Sequence, residues 1–247
     1  MTDLHDRIRD FWDRDSHTYD ESVSHAVSDP LEAAAWRAAI RRALPDPPAS
    51  VLDAGAGTGS LSLLAAELGY EVTALDLSEG MLAKARAKAS ERGVELSFVI
   101  GPAVRPPKGP FDVVMERHVV WTMPDPVGVL RAWREVAAPG GRLVLFEGLW
   151  GSKALDQRAR DSIAKALRTL MRTPPDHHAP YPEDVLEALP LSRMPTPIPL
   201  VAAVTDSGWT GVRIQRLRDV EWAAMLREPW PLGWLEHKPR YALIADA

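Results

Sequence analysis

The chain changes its pattern of apolar and polar positions at regular intervals. Between residues 51 and 147, short apolar runs alternate with segments in which apolar residues recur every three or four positions. The short runs are typical of buried strands and the longer segments of helices that cover them. This alternation predicts βαβ units, and therefore a largely parallel sheet with helices on its faces.

The expected elements have definite bounds. In the helix after Ser78, which we expect to serve as its N-cap, an apolar face opposes Lys84, Arg86 and Lys88, which we expect to be solvated. Gly93 ends that helix. We predict strands at Val51–Ala54, Glu71–Asp76, Val94–Ile100, Phe111–Met115, Arg142–Glu147, Val212–Leu217 and Tyr241–Ala245, with further helices at Thr58–Leu68 and Val127–Ala137.

Two regions flank this alternation. Residues 3–44 have a helical pattern, and residues 155–171 form an amphipathic helix whose apolar face includes Ile163 and Leu170. We expect an α/β, Rossmann-like, doubly wound sheet of seven strands, mostly parallel with an antiparallel C-terminal strand. The predicted divisions are a helical cover at 1–45, a core at 46–150, a substrate lid at 151–200 and the rest of the sheet at 201–247.

Composition narrows the class of protein. The 247 residues carry a net charge of −5 and include no Cys, which excludes disulfides and thiolate metal sites. Acidic residues outnumber basic ones, so a nucleic-acid partner is not expected. The sequence shows no apolar run that could span a bilayer and no secretory signal at its start. We therefore expect a cytoplasmic protein with no membrane partner.

The most informative stretch is the run from Val51 to Gly59, in which Gly55, Gly57 and Gly59 alternate with other residues after a predicted strand. A helix and a second strand follow, and that strand ends at Asp76. Glycines let the backbone approach a ligand, and a carboxylate in this position can accept hydrogen bonds from a ribose diol. The order therefore predicts a site for an adenosine-containing cofactor.

The glycine spacing selects among such cofactors. Dinucleotide sites favour G-x-G-x-x-G, whereas Ser60 stands at the third glycine position here. Asp53, directly before the turn, would repel a pyrophosphate but suits a ligand with positive charge. A phosphate-binding loop is excluded because no Lys-Ser or Lys-Thr pair follows the glycines.

Four motifs in the same order resemble class I S-adenosylmethionine-dependent methyltransferases of the small-molecule branch. They are Val51–Gly59, Asp76–Leu82, Phe111–Val114 and Pro139–Val144. The resemblance covers roughly residues 11 to 150. It implies S-adenosylmethionine as cofactor and methyl transfer to an O, N, S or C atom of a small molecule as the activity.

The resemblance also implies roles for individual residues in cofactor binding. Asp76 would accept the ribose hydroxyls, while Leu77 and Met81 would pack against the adenine. Asp53 would orient the glycine turn or contact the ammonium group indirectly. The full set expected to bind the cofactor is Asp53, Gly55, Gly57, Asp76, Leu77, Met81, Ala103, Val104 and Glu116.

One loop departs from the family pattern. The family usually has Gly-Asp-Ala after the third strand, whose acid contacts the adenine amino group, whereas this chain has Gly101-Pro102-Ala103. Pro102 has neither a carboxylate nor an N–H group. Backbone groups of Ala103 or Val104 would have to reach the ring instead.

Candidate catalytic and substrate residues follow the strands. His118 comes after the fourth strand and is the leading candidate for a general base or a substrate-orienting group, because the unperturbed pKa of an imidazole lies near working pH. Tyr19 resembles an N-terminal tyrosine that folds over the cofactor, and it is the second catalytic candidate. Trp121 would line the substrate pocket or seat the next helix. Glu147, and His177, His178 and Tyr181 in the lid, complete the candidates for substrate contact; no metal site is expected.

The substrate and the reaction type remain open at this level. Nine Trp residues favour an aromatic or apolar substrate, and a composition typical of a GC-rich genome points to bacterial secondary metabolism. One alternative is an enzyme that uses the same cofactor for cyclisation or another group transfer. Another is a module that binds the cofactor without turnover. The sequence leaves the oligomeric state undetermined.

Overall fold

The protein was analysed as a computed structural model that describes residues 2–21, 27–149, 155–172 and 183–247. Seven strands form one sheet in the order β3-β2-β1-β4-β5-β7-β6, and β7 is antiparallel to both of its neighbours. The predicted Rossmann-like sheet is therefore confirmed. The strands are β1 (Ser50–Ala54), β2 (Glu71–Asp76), β3 (Ser97–Ile100), β4 (Phe111–Arg117), β5 (Ala137–Gly148), β6 (Thr210–Arg216) and β7 (Arg240–Asp246).

The predicted helices are present, with shifts of a few residues at their ends, and four further helices that were not predicted lie within residues 183–247. Ser78 accepts a hydrogen bond from the N–H group of Met81, and Gly93 ends that helix in the left-handed conformation. The helices are α1 (Thr2–Asp15), α2 (Pro30–Ala43), α3 (Ser60–Glu67), α4 (Glu79–Arg92), α5 (Pro126–Val136), α6 (Leu155–Met171), α7 (Glu183–Glu187), α8 (Ile198–Asp206), α9 (Arg218–Arg227) and α10 (Leu232–Leu235).

The core lies on both faces of the sheet. On one face, α2, α3 and α9 pack against the alternate residues Val113, Met115 and Phe146. On the other face, α5 and α8 pack against Val114 and Leu145. Because successive strand residues point to opposite faces, the side chains at the carboxyl ends of β4 and β5 also divide between the two faces.

Helix α6 spans the predicted residues 155–171, and the structure shows which of its positions are buried. Its predicted apolar face does not form the buried contact, because Ile163 is 52% exposed and Leu170 is 78% exposed, whereas Ala164 is buried. The helix packs on α10 instead, and Arg168 forms salt bridges there. Its partners are Glu228 and Glu236, with N–O distances of 3.0 and 2.5 Å. Ion pairing, which periodicity does not register, therefore sets its orientation.

Two helices from distant parts of the chain meet above the carboxyl edge of the sheet. Ile8 of α1 packs with Val185 of α7 and with Leu189, which follows α7. These residues form one apolar cluster with Leu77 and Trp121, which lie beside the predicted site. None of the helices in the described ranges is long and apolar enough to cross a membrane.

Candidate active site

The glycine turn after β1 has one residue that faces open space. Gly55, Gly57 and Gly59 have φ angles of +79°, +56° and +81°, a region that side-chain-bearing residues rarely adopt. A Cβ atom on Gly55 would lie 2.4 Å from Val119 Cγ2, and one on Gly59 would lie 2.9 Å from Ala85 Cβ. A Cβ on Gly57 would meet no described atom within 4 Å. Gly57 is therefore the position at which the turn can accept a ligand.

Asp76, at the end of β2, lies directly against that turn. Its carboxylate accepts hydrogen bonds from the N–H groups of Gly57, at 2.7 Å, and Ser78, at 2.8 Å. Burial raises the pKa of Asp76 to about 6. Since a carboxylate can accept about four hydrogen bonds, the two backbone contacts leave acceptor capacity for a ligand hydroxyl.

Asp53 supports the turn from inside. It is 2% exposed and accepts a hydrogen bond from the hydroxyl of Ser62 in α3. Burial raises the pKa of this carboxyl to about 6. The contact ties α3 to the end of β1.

Most of the residues predicted to border the adenine are buried or packed against the core. Met81 is 2% exposed, while Leu77 belongs to the cluster beneath α1 and α7. Ala103 O accepts a hydrogen bond from the indole N–H of Trp133 at 2.8 Å. Val104 packs against the same core. The Ala103 carbonyl therefore has a protein partner, so the loop after β3 is anchored despite Pro102.

The N-terminal segment is bound to the glycine turn by polar contacts. Asp20 accepts a hydrogen bond from Thr58 Oγ1 at 2.7 Å and pairs with Lys88 Nζ at 2.7 Å. Lys84 Nζ donates to the carbonyl of His17 at 2.9 Å. The expectation that Lys84 and Lys88 are merely solvated is therefore wrong. In the sequence these lysines are only regularly spaced positions on a helical face, and that pattern does not reveal their partners.

Those contacts hold Tyr19 at the centre of the site. Its neighbours include the charges of Arg117 and Asp76, and its ring packs edge-on against Trp12 with centroids 5.9 Å apart. Burial raises the pKa of the Tyr19 hydroxyl, which therefore stays protonated.

Glu116 is fully buried on β4. Its Oε2 atom accepts hydrogen bonds from the N–H groups of Val119, at 2.5 Å, and Val120, at 3.3 Å. Burial raises the pKa of Glu116 to about 8. These contacts shape the loop that follows β4, and they place Val119 against Gly55.

His118 directly follows β4 and has a φ angle of +62°. Such a conformation costs a residue with a side chain about 1–2 kcal/mol. The ring Nδ1 atom lies 3.2 Å from Oε2 of Glu147, a buried carboxylate at the end of β5. Strained backbone of this kind is concentrated at functional sites.

The structure describes some of the predicted substrate residues, and others lie outside the described ranges. Trp121 is part-buried and lies between the core beneath α5 and the cluster of α1 and α7. His177, His178 and Tyr181 lie outside the described residues. Within the described ranges, no group of three His, Cys, Asp or Glu side chains is arranged to hold a metal ion.

Comparison with known proteins identifies the family. Residues 52–145 match the family described as "Methyltransferase domain". A demethylmenaquinone methyltransferase of Beutenbergia cavernae is 32% identical over 195 residues, which cover 74% of this chain and 75% of that protein. The chain belongs to the class I S-adenosylmethionine-dependent methyltransferases. The family predicted from the four motifs is thus confirmed.

Other curated relatives are similar over a shorter region. A ubiquinone biosynthesis O-methyltransferase of Caulobacter sp. (strain K31) is 39% identical over 98 residues. That alignment covers 38% of this chain and 39% of the relative. The chain thus spans about two fifths of the length of this relative.

Solved structures agree on the fold. A geranyl diphosphate methyltransferase has a TM-score of 0.63 with 14% identity, and the match covers 98% of this chain and 99% of that one. A [4+2]-cyclase, SpnF, has a TM-score of 0.59 with 17% identity, covering 87% and 80%. Because neighbours with different named reactions share this fold, the reaction must be argued from the site.

Proposed function

We propose that this protein transfers the methyl group of S-adenosylmethionine to a hydroxyl oxygen of a small molecule. The observation that carries the choice of acceptor is the contact between His118 and Glu147. A hydroxyl must lose its proton when it is methylated, and a positioned histidine can take that proton. The O-methyltransferase name of the relative from Caulobacter supports the same acceptor.

The residues around the glycine turn offer the hydrogen-bonding groups and the open backbone that the proposed cofactor needs. Asp76 would hold the ribose hydroxyls, Gly57 would let the ligand approach the backbone, and Leu77 and Met81 would border the adenine. Tyr19, beside Asp76 and Arg117, would cover the methionine end. When bound, the cofactor supplies an electrophilic methyl group. The protein then has to orient the acceptor and remove its proton.

Glu147 would set the protonation of His118. An ionised carboxylate only accepts hydrogen bonds, so the Nδ1 atom that faces Glu147 carries the ring proton. The Nε2 atom is then the basic nitrogen and would take the proton from the acceptor hydroxyl. The strained backbone of His118 directs the ring toward Glu147, at the carboxyl edge where ligands of such sheets bind.

The cover formed by α1 and α7 favours an apolar acceptor. Ile8, Val185 and Leu189 form its buried centre, and Leu77 and Trp121 line its inner side. An aromatic or aliphatic acceptor would be shielded from water there. The cytoplasmic location, the role in secondary metabolism and the lid role of residues 151–200 stay predictions.

A calorimetric titration with S-adenosylhomocysteine tests the cofactor site first. We expect tight binding to the wild-type protein, a loss of at least about 100-fold in Asp76→Ala, and a smaller loss in Asp76→Asn. The amide oxygen of Asn can still accept from one of the two backbone N–H groups that bond to Asp76, so this variant keeps part of the hydrogen bonding of the turn and separates it from the loss of charge.

A methyl-transfer screen with labelled S-adenosylmethionine then tests the acceptor. Phenols and alcohols should be labelled, and the corresponding methyl ethers should not. Cofactor binding without label transfer to any hydroxyl would leave the non-methyl chemistry or the binding module as the better explanation. Absence of binding to the wild-type protein would contradict the proposal at its first step.

A further inference from the structure

Asp76 and Arg117 lie level with each other on either side of Gly55, at the carboxyl edge of the sheet. Both β2 and β4 pair in parallel with β1, and these registers align the two residues with the glycine that follows β1. Adjacent strands lie about 4.8 Å apart, so the two backbones are separated by about 10 Å. The pairs that fix the register are Ala54 with Leu75, and Asp53 with Met115.

The side chains of Asp76 and Arg117 project toward the same face of the sheet. Alternate residues of a strand point to one face, and Val72 and Met115, which precede them at even spacing, pack in the core beneath α2 and α3. Gly55 contributes no side chain between them. The row therefore sets a carboxylate and a guanidinium on either side of a glycine.

Arg117 is held in this position by an aromatic ring. Its Cζ atom lies 5.5 Å from the centroid of the Trp36 ring in α2, and Trp36 is buried. Such stacking restrains the guanidinium group without using its N–H groups. Arginine has five N–H donors in a planar fork, which matches the two oxygens of a carboxylate. Arg117 can therefore bind an anion in addition to its contacts within the protein.

Tyr19 lies within electrostatic reach of both ends of the row. Burial raises the pKa of its hydroxyl, the charge of Arg117 opposes this rise, and the charge of Asp76 adds to it. Asp76 also accepts a hydrogen bond from the N–H group of Gly57 at 2.7 Å, and a Cβ atom on Gly57 would meet no described atom within 4 Å. The open side of the glycine turn therefore borders the same row.

A second guanidinium group makes this edge electropositive. Arg240 of β7 projects to the same face as Arg117, and burial together with the charge of Arg117 lowers the pKa of Arg240. Since like charges repel, an anion near both groups would be stabilised by each of them. The carboxylates close to Arg240 already pair with other arginines, Glu32 with Arg227 at 2.5 Å and Glu221 with Arg216 at 2.9 Å.

The cofactor carries an anion that suits this arrangement. The amino-acid part of S-adenosylmethionine has a carboxylate at the opposite end of the methionine chain from the ribose. With the ribose at Asp76, a methionine chain that follows the row across the glycine turn brings this carboxylate to the end of β4.

We propose that Arg117 binds the carboxylate of the methionine part of the cofactor while Asp76 holds its ribose. This inference rests on the proposed function for the identity of the cofactor. It adds the residue that selects ligands with an amino-acid carboxylate, and it assigns the two ends of the cofactor to side chains of β2 and β4.

Calorimetry with two ligands tests the assignment. The probes are S-adenosylhomocysteine and its decarboxylated analogue, which keeps the adenosine, the sulfur and the amino group. Wild-type protein should bind S-adenosylhomocysteine about 30-fold more tightly, as expected for a charge-assisted contact to the carboxylate. Arg117→Gln should bind the two ligands with affinities within about twofold of each other. No preference in the wild type, or an unchanged preference in Arg117→Gln, would overturn the proposal.

Two further variants separate the contact from folding. Arg117→Met keeps an unbranched chain against Trp36 without the charge, so it should lose the preference as Arg117→Gln does. Arg86→Gln also removes a guanidinium group from an aromatic ring, with Cζ 5.0 Å from the centroid of Phe98, and it should keep the wild-type preference. Equal weakening of both ligands in folded Arg117 variants would show a structural role and overturn the proposal.

The same measurements distinguish this inference from the proposed function. Wild-type affinity for S-adenosylhomocysteine in Arg117→Gln, together with lost transfer of the labelled methyl group, would assign Arg117 to the acceptor and overturn the inference. Failure of the proposed function would instead appear as absence of label transfer by the wild type, with its preference for the carboxylate intact and lost in Arg117→Gln.

Discussion

The two halves of the candidate site are built in different ways. In the cofactor half, at the ends of β1 and β2, the carboxylates bond to nearby parts of the chain: Asp53 to Ser62, and Asp76 to Gly57, 19 residues away. In the acceptor half, at the ends of β4, β5 and β7, His118 meets Glu147, and Tyr241 comes from the last strand. These carboxylate contacts span 9 and 19 residues in the first half, whereas in the second half the contact of His118 with Glu147 spans 29 residues and the pairing with Tyr241 reaches the last strand.

The halves also differ in how much strain and unsatisfied polarity they contain. Positive φ angles in the cofactor half fall on glycines, where they cost little, whereas in the acceptor half one falls on His118. Both oxygens of Asp76 accept backbone N–H groups, while Glu116 Oε1 has no partner in the described chain. The cofactor half therefore places its positive φ angles where glycine tolerates them, whereas the acceptor half places one at the proposed base.

The largest expected effect is a loss of turnover that leaves cofactor binding unchanged. His118→Asn should lower kcat by at least about 100-fold, the usual contribution of a positioned general base. Its affinity for S-adenosylhomocysteine should match that of the wild type. Asn tolerates the left-handed conformation, so its unfolding free energy should stay within about 1 kcal/mol of the wild-type value. Wild-type turnover in His118→Asn would exclude the general-base role.

The glycine turn offers a comparison within the cofactor half. Gly55→Ala should destabilise the fold by about 3 kcal/mol in urea unfolding, because the new methyl group clashes with Val119 at a positive φ angle. Gly57→Ala should cost only about 1 kcal/mol but weaken binding of S-adenosylhomocysteine in calorimetry. If Gly57→Ala binds as tightly as wild type, the open side of the turn does not face the cofactor.

The segment around Asp20 should contribute less to the affinity for the cofactor than the glycine turn does. Asp20→Asn removes the charge that pairs with Lys88 but retains an acceptor for the Thr58 hydroxyl. We expect a decrease of about threefold to tenfold in S-adenosylhomocysteine affinity, typical of a part-buried ion pair. Asp10→Asn, on the exposed side of α1, is the control. Equal affinities of the two variants would show that the contacts of Asp20 do not contribute to cofactor binding.

The smallest effect is a dependence of stability on pH. The folded protein holds the Glu116 proton more tightly than the unfolded chain does, so this group makes stability fall as the pH rises from about 4.5 to about 8. Asp53 and Asp76 act in the same direction only up to about pH 6. Glu116→Gln should therefore flatten the unfolding free energy between pH 6 and 8. An unchanged slope in that window would mean that Glu116 does not titrate there.

The sequence by itself was enough to predict the sheet, the glycine turn and the position of Asp76 at the end of a strand. These features depend on apolar periodicity, on glycine at positive φ angles and on a carboxylate at a strand end, all of which are local properties of the chain. The sequence left the packing of α6 open, because Arg168 and its two carboxylate partners lie far apart in the sequence. The same limit applies to Lys84 and Lys88, whose partners belong to the N-terminal segment.

Only the tertiary structure decided how the acceptor half is composed. His118 and Glu147 were each candidates from their strand-end positions, but their contact requires the pairing of β4 with β5. Tyr241 carried no signal in the sequence, because a tyrosine in an apolar strand looks like any other core residue. Only strand pairing places it beside Glu147, because Tyr241 of β7 pairs with Glu147 of β5.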